Sequence, residues 1–364
     1  MSLKCFRLSP GTLHGLHGLH RSHPRLRGES SATSTAGVRC LNTAVLTHPC
    51  FEAHSNGTGH PESPSRVHRL KSSLQAESRR LGLLWLESDA DVPRATRQQL
   101  VSAGHTATYV DDLMHKFERA REQKTSIRID GDTTIGPGTG EAALRAAGAA
   151  IAAVDLVLAE DQTSTNAFVL SRPPGHHAER DRAMGFCFFG NVAAGIARAR
   201  DAHGVRRVAV LDFDVHHGNG TQSLLWDDHD ALFISIHESP LYPGSGSVLE
   251  TGACENVINL PVPAGTQGDE VLDLVEGIVV PKLIDWDPEV LFFSAGFDAH
   301  ADDQLANLSL KAKDFGDITR NVLAATVANA ESSTRAVVSC LEGGYDLDAL
   351  VDSATCHVAA LVES

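Results

Sequence analysis

The sequence predicts a three-layer α/β/α domain built on a mostly parallel central sheet. Two observations point to it. From about Thr43 onward short apolar runs alternate with helical stretches, and each run ends directly in polar, Gly-rich sequence. A strand that is apolar on both faces must be covered on both, which is how a parallel sheet with crossover helices reads. In open sheets of this kind ligands collect beyond the carboxyl ends of the strands, so chemistry is expected there.

Taken in chain order, the first segment stands apart. Residues 1–40 carry Lys4, Arg7, Arg21, Arg25, Arg27 and Arg39 against the single acid Glu29. Basic, Ser-bearing and acid-poor, this is the composition of an organellar transit peptide, chloroplast or mitochondrial, with a disordered tail as the plainer reading. Residues 41–364 are expected to form one domain. Within it the Ala-rich stretch Glu141 to Glu160, preceded by Gly-Pro-Gly-Thr-Gly, predicts a buried crossover helix. Strands are expected at Ala167 to Ser171, Val208 to Asp212, Leu232 to His237, Val290 to Ala295 and Val337 to Glu342.

Composition narrows the function. With 364 residues and 42% hydrophobic content the chain can bury a large core. A formal net charge of −15 repels phosphate backbones, which leaves no electrostatic case for nucleic-acid binding and favours a cationic substrate. The seven cysteines include no C-x-x-C pair, so neither a disulfide framework nor a cysteine-based zinc ribbon is indicated. The most apolar stretch, Ala142 to Ala159, is broken by Arg145 and Asp155, short of the roughly 20 apolar residues that a membrane span needs.

All the expected strands run into unusual polar residues. Asp214 and His216 stand two apart after the second strand, so on extended backbone their side chains point the same way. With Asp298 from another strand end they supply oxygen and nitrogen ligands and no thiolate, leaving a position for water, as catalytic zinc sites do; Fe(II), Mn(II) or Co(II) would also suit them. The adjacent His176 and His177 can move a proton between water and a leaving amine. Asp212 is placed to orient His176, and the uncharged Asn219 to hold His177 without raising its basicity as a carboxylate would. Tyr345, on a Gly-Gly-Tyr turn, can donate a hydrogen bond to a developing oxyanion.

These motifs carry a resemblance. Arg-Pro-Pro-Gly-His-His (172–177), Gly-Phe-Cys-Phe-Phe-Gly-Asn (185–191), Asp-Phe-Asp-Val-His-His-Gly-Asn-Gly-Thr (212–221), Tyr-Pro-Gly-Ser-Gly (242–246), Ala-Gly-Phe-Asp-Ala-His (295–300) and Glu-Gly-Gly-Tyr (342–345) resemble the zinc-dependent histone deacetylase family. Asn219 and the His60–Pro64 stretch resemble its class II branch and the bacterial and plant relatives. The resemblance implies an arginase/deacetylase-like fold and a deacetylase domain over residues 41–364. It implies one zinc on Asp214, His216 and Asp298, with His177 as general base and acid, His176 as its electrostatic partner and Tyr345 polarising the acyl carbonyl. Gly185, Phe186 and Tyr242 match the walls of the substrate tunnel and Asp132 the rim residue that grips substrate backbone. A structural potassium would sit among Asp212, Asp214, His216, Ser235 and Ile236. Leu305, seven residues after Asp298, stands where the polyamine-selective branch has a glutamate, which favours acetyl-lysine on protein over acetylpolyamine as substrate; a deacetylase of small N-acetyl amines or polyamines is the alternative.

Two other readings bear on the same residues. An arginase-like two-manganese site needs carboxylates two residues past His216 and two past Asp298, where this chain has Gly218 and His300. A catalytically inactive acetyl-lysine-binding module would keep the pocket without using its chemistry.

Overall fold

The computed structural model describes residues 43–160 and 163–364. Among them ten strands follow in order: β1 (Thr43–Leu46), β2 (Leu84–Leu86), β3 (Ile127–Arg128), β4 (Thr134–Ile135), β5 (Asn166–Val169), β6 (Val208–Asp212), β7 (Ala231–Glu238), β8 (Val257–Val262), β9 (Val290–Ala295) and β10 (Ala336–Leu341). Eight of them form one sheet in the order β2-β1-β5-β10-β9-β6-β7-β8, and every pairing in it is parallel. β3 and β4 make a separate antiparallel ribbon. The fold class is the expected three-layer α/β/α architecture.

The ten α-helices of the described residues are α1 (Pro64–Leu81), α2 (Arg97–Ser102), α3 (Ala107–Gln123), α4 (Thr139–Val157), α5 (Asn191–His203), α6 (Asn219–Leu225), α7 (Gly268–Leu274), α8 (Val280–Trp286), α9 (Ala312–Ala325) and α10 (Leu347–Glu363). α4 and α5 pack together in one helical layer; α1, α9 and α10 pack together in the other. Every residue of the central strands β5, β6, β9 and β10 is buried, as a sheet covered on both faces requires. Among the described residues no helix is long and apolar enough to cross a membrane.

The five expected strands are all present, shifted by at most two residues at their ends. The expected crossover helix is α4, which begins two residues before Glu141 and stops at Val157. Its start is fixed by Thr139, whose hydroxyl accepts the Gly136 N–H at 2.8 Å. β1, β2 and β8 of the large sheet lie outside the expected set, as do the two-residue strands β3 and β4 of the ribbon. β1 and β2 are four and three residues long, too short to show a period, and β8 is an edge strand with mixed burial. The leader, residues 1–40, lies outside the described residues.

Candidate metal centre and acyl cavity

Adjacent parallel strands bring the three metal-ligand candidates together. β6 and β9 are paired, with Asp212 opposite Ser294, so the segments leaving them run side by side. The ligand atoms of Asp214, His216 and Asp298 all lie within 4.8 Å of one another, and all three residues are buried. His216 Nδ1 stands 3.1 Å from Asp214 Oδ1 and 3.1 Å from Asp298 Oδ2. The remaining carboxylate lone pairs are aimed by backbone donors: the Val215 N–H donates to Asp298 Oδ1 at 3.0 Å and the Gly343 N–H to Asp214 Oδ2 at 2.8 Å. A Cβ at Gly343 would stand 2.1 Å from Asp298 Oδ2, so the close approach of the β10 loop to the site requires glycine there.

The electrostatics fit a cation. Burial raises Asp298, and the neighbouring Asp214 raises it further, to about 7. Burial opposes charge on His216, yet hydrogen bonds to Asp214 and Asp298 outweigh it and push the ring up to about 10. Part of the rise in Asp298 is like-charge repulsion from Asp214, which a bound cation would relieve. Two carboxylates and an imidazole, without thiolate, match the donor set of a catalytic divalent-metal site. It is the one such group of three among the described residues. The positions that a second metal would need hold Gly218 and His300.

Beside this cluster the tandem histidines stack with ring centroids 4.0 Å apart. Both have the partners expected of them. His176 Nδ1 lies 3.1 Å from Asp212 Oδ2, and His177 Nδ1 lies 2.7 Å from Asn219 Oδ1. Burial works against charge on His176, but Asp214 and Asp212 hold it well above the usual histidine range. His177 goes the opposite way: burial, then the neighbouring His176 and His216, hold it well below that range. One ring is thus kept cationic and the other neutral.

The His177 ring opens onto a cavity of about 420 Å³ lined by His60, Pro61, Asp132, Gly185, Phe186, His216, Leu241, Tyr242, Leu305 and Tyr345. All five residues expected to bind substrate, Gly185, Phe186, Tyr242, Asp132 and Leu305, lie in that wall. Gly185 has a left-handed φ of +55°, and a Cβ there would sit 2.3 Å from the His177 ring. Tyr345 packs edge-on against Phe186, with centroids 5.9 Å apart, and beneath the Arg66 guanidinium, 4.9 Å from its ring. Its N–H donates to Asp303 Oδ2 at 2.6 Å, and burial, then Asp298, holds its phenol well above the usual value, so it stays a donor. Of the residues expected around potassium, Asp212 ends β6 and is the register partner of Ser235 within β7, with Ile236 next in that strand; Asp214 and His216 follow Asp212 by two and four residues.

Several residues at the site escaped the sequence reading. Glu342 accepts the Gly175 N–H at 2.6 Å and the His176 N–H at 3.2 Å; the Glu-Gly-Gly-Tyr motif contains it, but only a fold shows what it reaches. Glu179 accepts from Asn219 Nδ2 at 2.7 Å. Arg172 forks onto Glu62, from Nε to Oε1 at 2.5 Å and from Nη2 to Oε2 at 2.7 Å.

A parallel α/β sheet with a buried three-ligand oxygen/nitrogen cluster, a tandem-histidine pair and an adjoining apolar-walled cavity is the arrangement of an amidohydrolase-type hydrolase. The histone deacetylase domain matches residues 60–361, and the chain belongs to that family. It is 40% identical over 291 residues to the histone deacetylase-like amidohydrolase of Pseudomonas aeruginosa, covering 79% of this chain and 73% of that one. It is 34% identical over 319 residues to the chloroplastic histone deacetylase 14 of Arabidopsis thaliana, covering 84% and 74%. Among solved structures, the HD domain of HDA15 matches with a TM-score of 0.79 at 27% identity, over 89% of each chain.

Proposed function

We propose that the chain is a zinc-dependent deacetylase that hydrolyses N-acetyl-lysine on protein. The observation that carries this reading is the 420 Å³ cavity, whose lining places His177, His216 and Tyr345 together with Phe186, Tyr242 and Leu305. Asp214, His216 and Asp298 would hold the zinc, which supplies Lewis acidity toward the acyl carbonyl and the attacking water. His177 takes a proton from that water at Nε2 and returns it to the amine nitrogen as the C–N bond breaks. His176, kept cationic by Asp214 and Asp212, stabilises the negative charge that builds up beside it. The Tyr345 hydroxyl donates to the acyl oxygen as it becomes an oxyanion, while Phe186 and Tyr242 flank the alkyl chain and exclude water. Asp132 at the rim accepts from substrate backbone. A potassium ion among Asp212, Asp214, His216, Ser235 and Ile236, bound mostly through main-chain oxygens, would brace the segment that carries the zinc ligands.

Leu305 favours a lysyl chain over a polyamine, because an apolar side chain at that wall offers no charge to a second ammonium group. The test is a panel of acetyl-lysine peptides, acetylpolyamines and N-acetyl arylalkylamines given to the zinc-loaded protein. Turnover of the peptides with inhibition by a hydroxamate is the expected outcome; turnover of acetylpolyamines alone would move the assignment to the small-amine class. An organellar site of action, chloroplast or mitochondrion, is supported by the composition of residues 1–40 and by relatives named chloroplastic. A fluorescent fusion of the full chain, imaged in cells, tests it.

A further inference from the structure

We propose that Glu179 is the positioning residue that sets the tautomer of His177, acting through the amide of Asn219. The inference rests on the reading of His177 as the general base and adds a group to it. Asn219 uses both ends of its side chain. Its Oδ1 lies 2.7 Å from His177 Nδ1, and its Nδ2 lies 2.7 Å from Glu179 Oε1 and 3.4 Å from Met184 Sδ. A carboxylate and a thioether offer no proton, so both neighbours of Nδ2 are acceptors. Turning the amide over would set Oδ1 against those acceptors and lose both Nδ2 contacts, to Glu179 and Met184. The amide is therefore pinned with its oxygen toward the imidazole, and that oxygen can only accept. A neutral His177 must answer with a proton on Nδ1, which leaves the lone pair on Nε2. His177 Nε2 has no hydrogen-bond partner among the described residues, and the ring lines the acyl cavity.

The chain of contacts is rigid at both ends. Asn219 opens α6, and the next two residues, Gly220 and Thr221, donate their N–H groups to the His176 carbonyl at 2.8 and 3.1 Å. Glu179 is held through its backbone: its N–H donates to the Arg182 carbonyl at 2.9 Å, and its own carbonyl lies 3.0 Å from His105 Nδ1. The far side of the Glu179–Asn219 pair faces a second cavity of about 490 Å³, lined also by Gln222, Ser223, Trp226 and Ser245. This cavity is separate in lining from the acyl cavity, so the tautomer is set from behind, by a residue that substrate in the acyl cavity does not meet.

The experiment compares the full-length zinc-loaded protein with Glu179→Gln, reading the His177 ring nitrogens by long-range 15N NMR alongside steady-state kinetics. In the unaltered protein the ring should carry its proton on Nδ1; a proton on Nε2 overturns the proposal outright, whether or not the variant folds. In Glu179→Gln the new side-chain NH₂ can face Asn219 and so permits the turned-over amide. The variant should therefore populate the Nε2–H form and lose kcat by about 10- to 100-fold with KM little changed, the scale of a lost supporting hydrogen bond. Adding Asn219→Asp should recover much of the loss, because a carboxylate there accepts Nδ1–H through either oxygen while the introduced NH₂ donates to the other. An unchanged ring signal in Glu179→Gln, a loss confined to KM, or no recovery in the double variant each overturns the proposal. If the unaltered protein turns over no acetyl-lysine peptide, the deacetylase reading fails, and the NMR comparison still decides the tautomer.

Discussion

Two buried ionic clusters lie close to the Gly343–Tyr345 turn, and they are built on opposite plans. In the first, Glu62, Arg66, Arg172 and His54 are each fully buried. The Glu62 carboxylate takes the bidentate fork of Arg172 and the Asn56 amide at 2.9 Å, while Arg172 Nη1 donates to the Phe51 and His54 carbonyls at 2.7 and 2.8 Å. Arg66 donates to the Gly344 carbonyl at 2.6 Å and the Glu342 carbonyl at 2.5 Å. Burial works against the charge on Glu62, but Arg172 and His54 outweigh it and hold the carboxyl well below the usual range. In the second cluster Asp214 and Asp298 face each other across His216, and Asp298 is pushed the other way, up to about 7. Two carboxyls in equal burial shift in opposite directions: at Asp298 burial and the neighbouring Asp214 outweigh the His216 partner, whereas at Glu62 Arg172 and His54 outweigh burial. The first cluster is closed and staples the His60–Pro64 segment to the tyrosine turn; the second is open to a cation.

The largest test of this contrast is Glu62→Ala, which leaves the Arg172 guanidinium buried without its counter-ion and should cost about 3–5 kcal/mol of stability in denaturant unfolding. A loss under about 1 kcal/mol would show that water or rearrangement compensates the arginine, and the cluster would not be closed. Next comes Tyr345→Phe, on the turn that the closed cluster supports. Its phenol has no hydrogen-bond partner among the described residues, so the unfolding midpoint should barely move, whereas kcat should fall by about 10²- to 10³-fold through loss of an oxyanion donor. Equal losses of stability and turnover would place the tyrosine in the staple and not in the chemistry.

The open cluster was far more legible in the sequence than the closed one, and the reason is separation along the chain. Asp214 and His216 stand two residues apart at the end of an apolar run, and Asp298 follows a second run, so strand periodicity alone aims them at one rim. Histidines in tandem after a third run complete the pattern. Glu62 and Arg172 are 110 residues apart, and nothing local in either motif says that one needs the other; the Glu-Ser-Pro and Arg-Pro-Pro contexts read as turns. Glu179 was missed for a related reason. It follows the tandem histidines by two residues, and an acid in a turn needs no explanation until Asn219 is seen 2.7 Å away. The cavity walls Gly185, Phe186 and Tyr242 were legible only through resemblance, since no spacing rule assembles them. The sheet shows the same limit: both faces of β5, β6, β9 and β10 are buried and their composition announces it, while the short β1 and the edge strand β8 carry little periodic signal.

Removing a charge from each cluster should have opposite consequences for the metal-free protein. Asp298→Asn keeps an oxygen for the Val215 N–H and removes a carboxylate from beside Asp214, so stability in the presence of a chelator should hold or rise. Zinc affinity measured by calorimetric titration should fall by at least about 100-fold, above the range for altering a supporting residue. A destabilised metal-free variant would mean that the acids are held by contacts as complete as those of Glu62, and the distinction between the clusters would fail.

Acid gives the smallest and most gradual test. The folded-state pKa of Glu62 lies below its unfolded value of 4.5, so the unfolded chain binds the additional proton in the interval between them. Stability due to this group is complete above about pH 4.5 and is lost as pH falls toward the folded value, with a slope that approaches ~1.4 kcal/mol per pH unit for one proton. In Glu62→Gln nothing at this position titrates, so urea unfolding followed between pH 3 and 7 should show a slope shallower by about one proton below pH 4.5, whatever the offset in absolute stability. Parallel curves for the two proteins would mean that Glu62 protonates alike in the folded and unfolded chains. The guanidinium fork would then not be holding its charge, and the closed cluster would owe its order to packing and backbone hydrogen bonds alone.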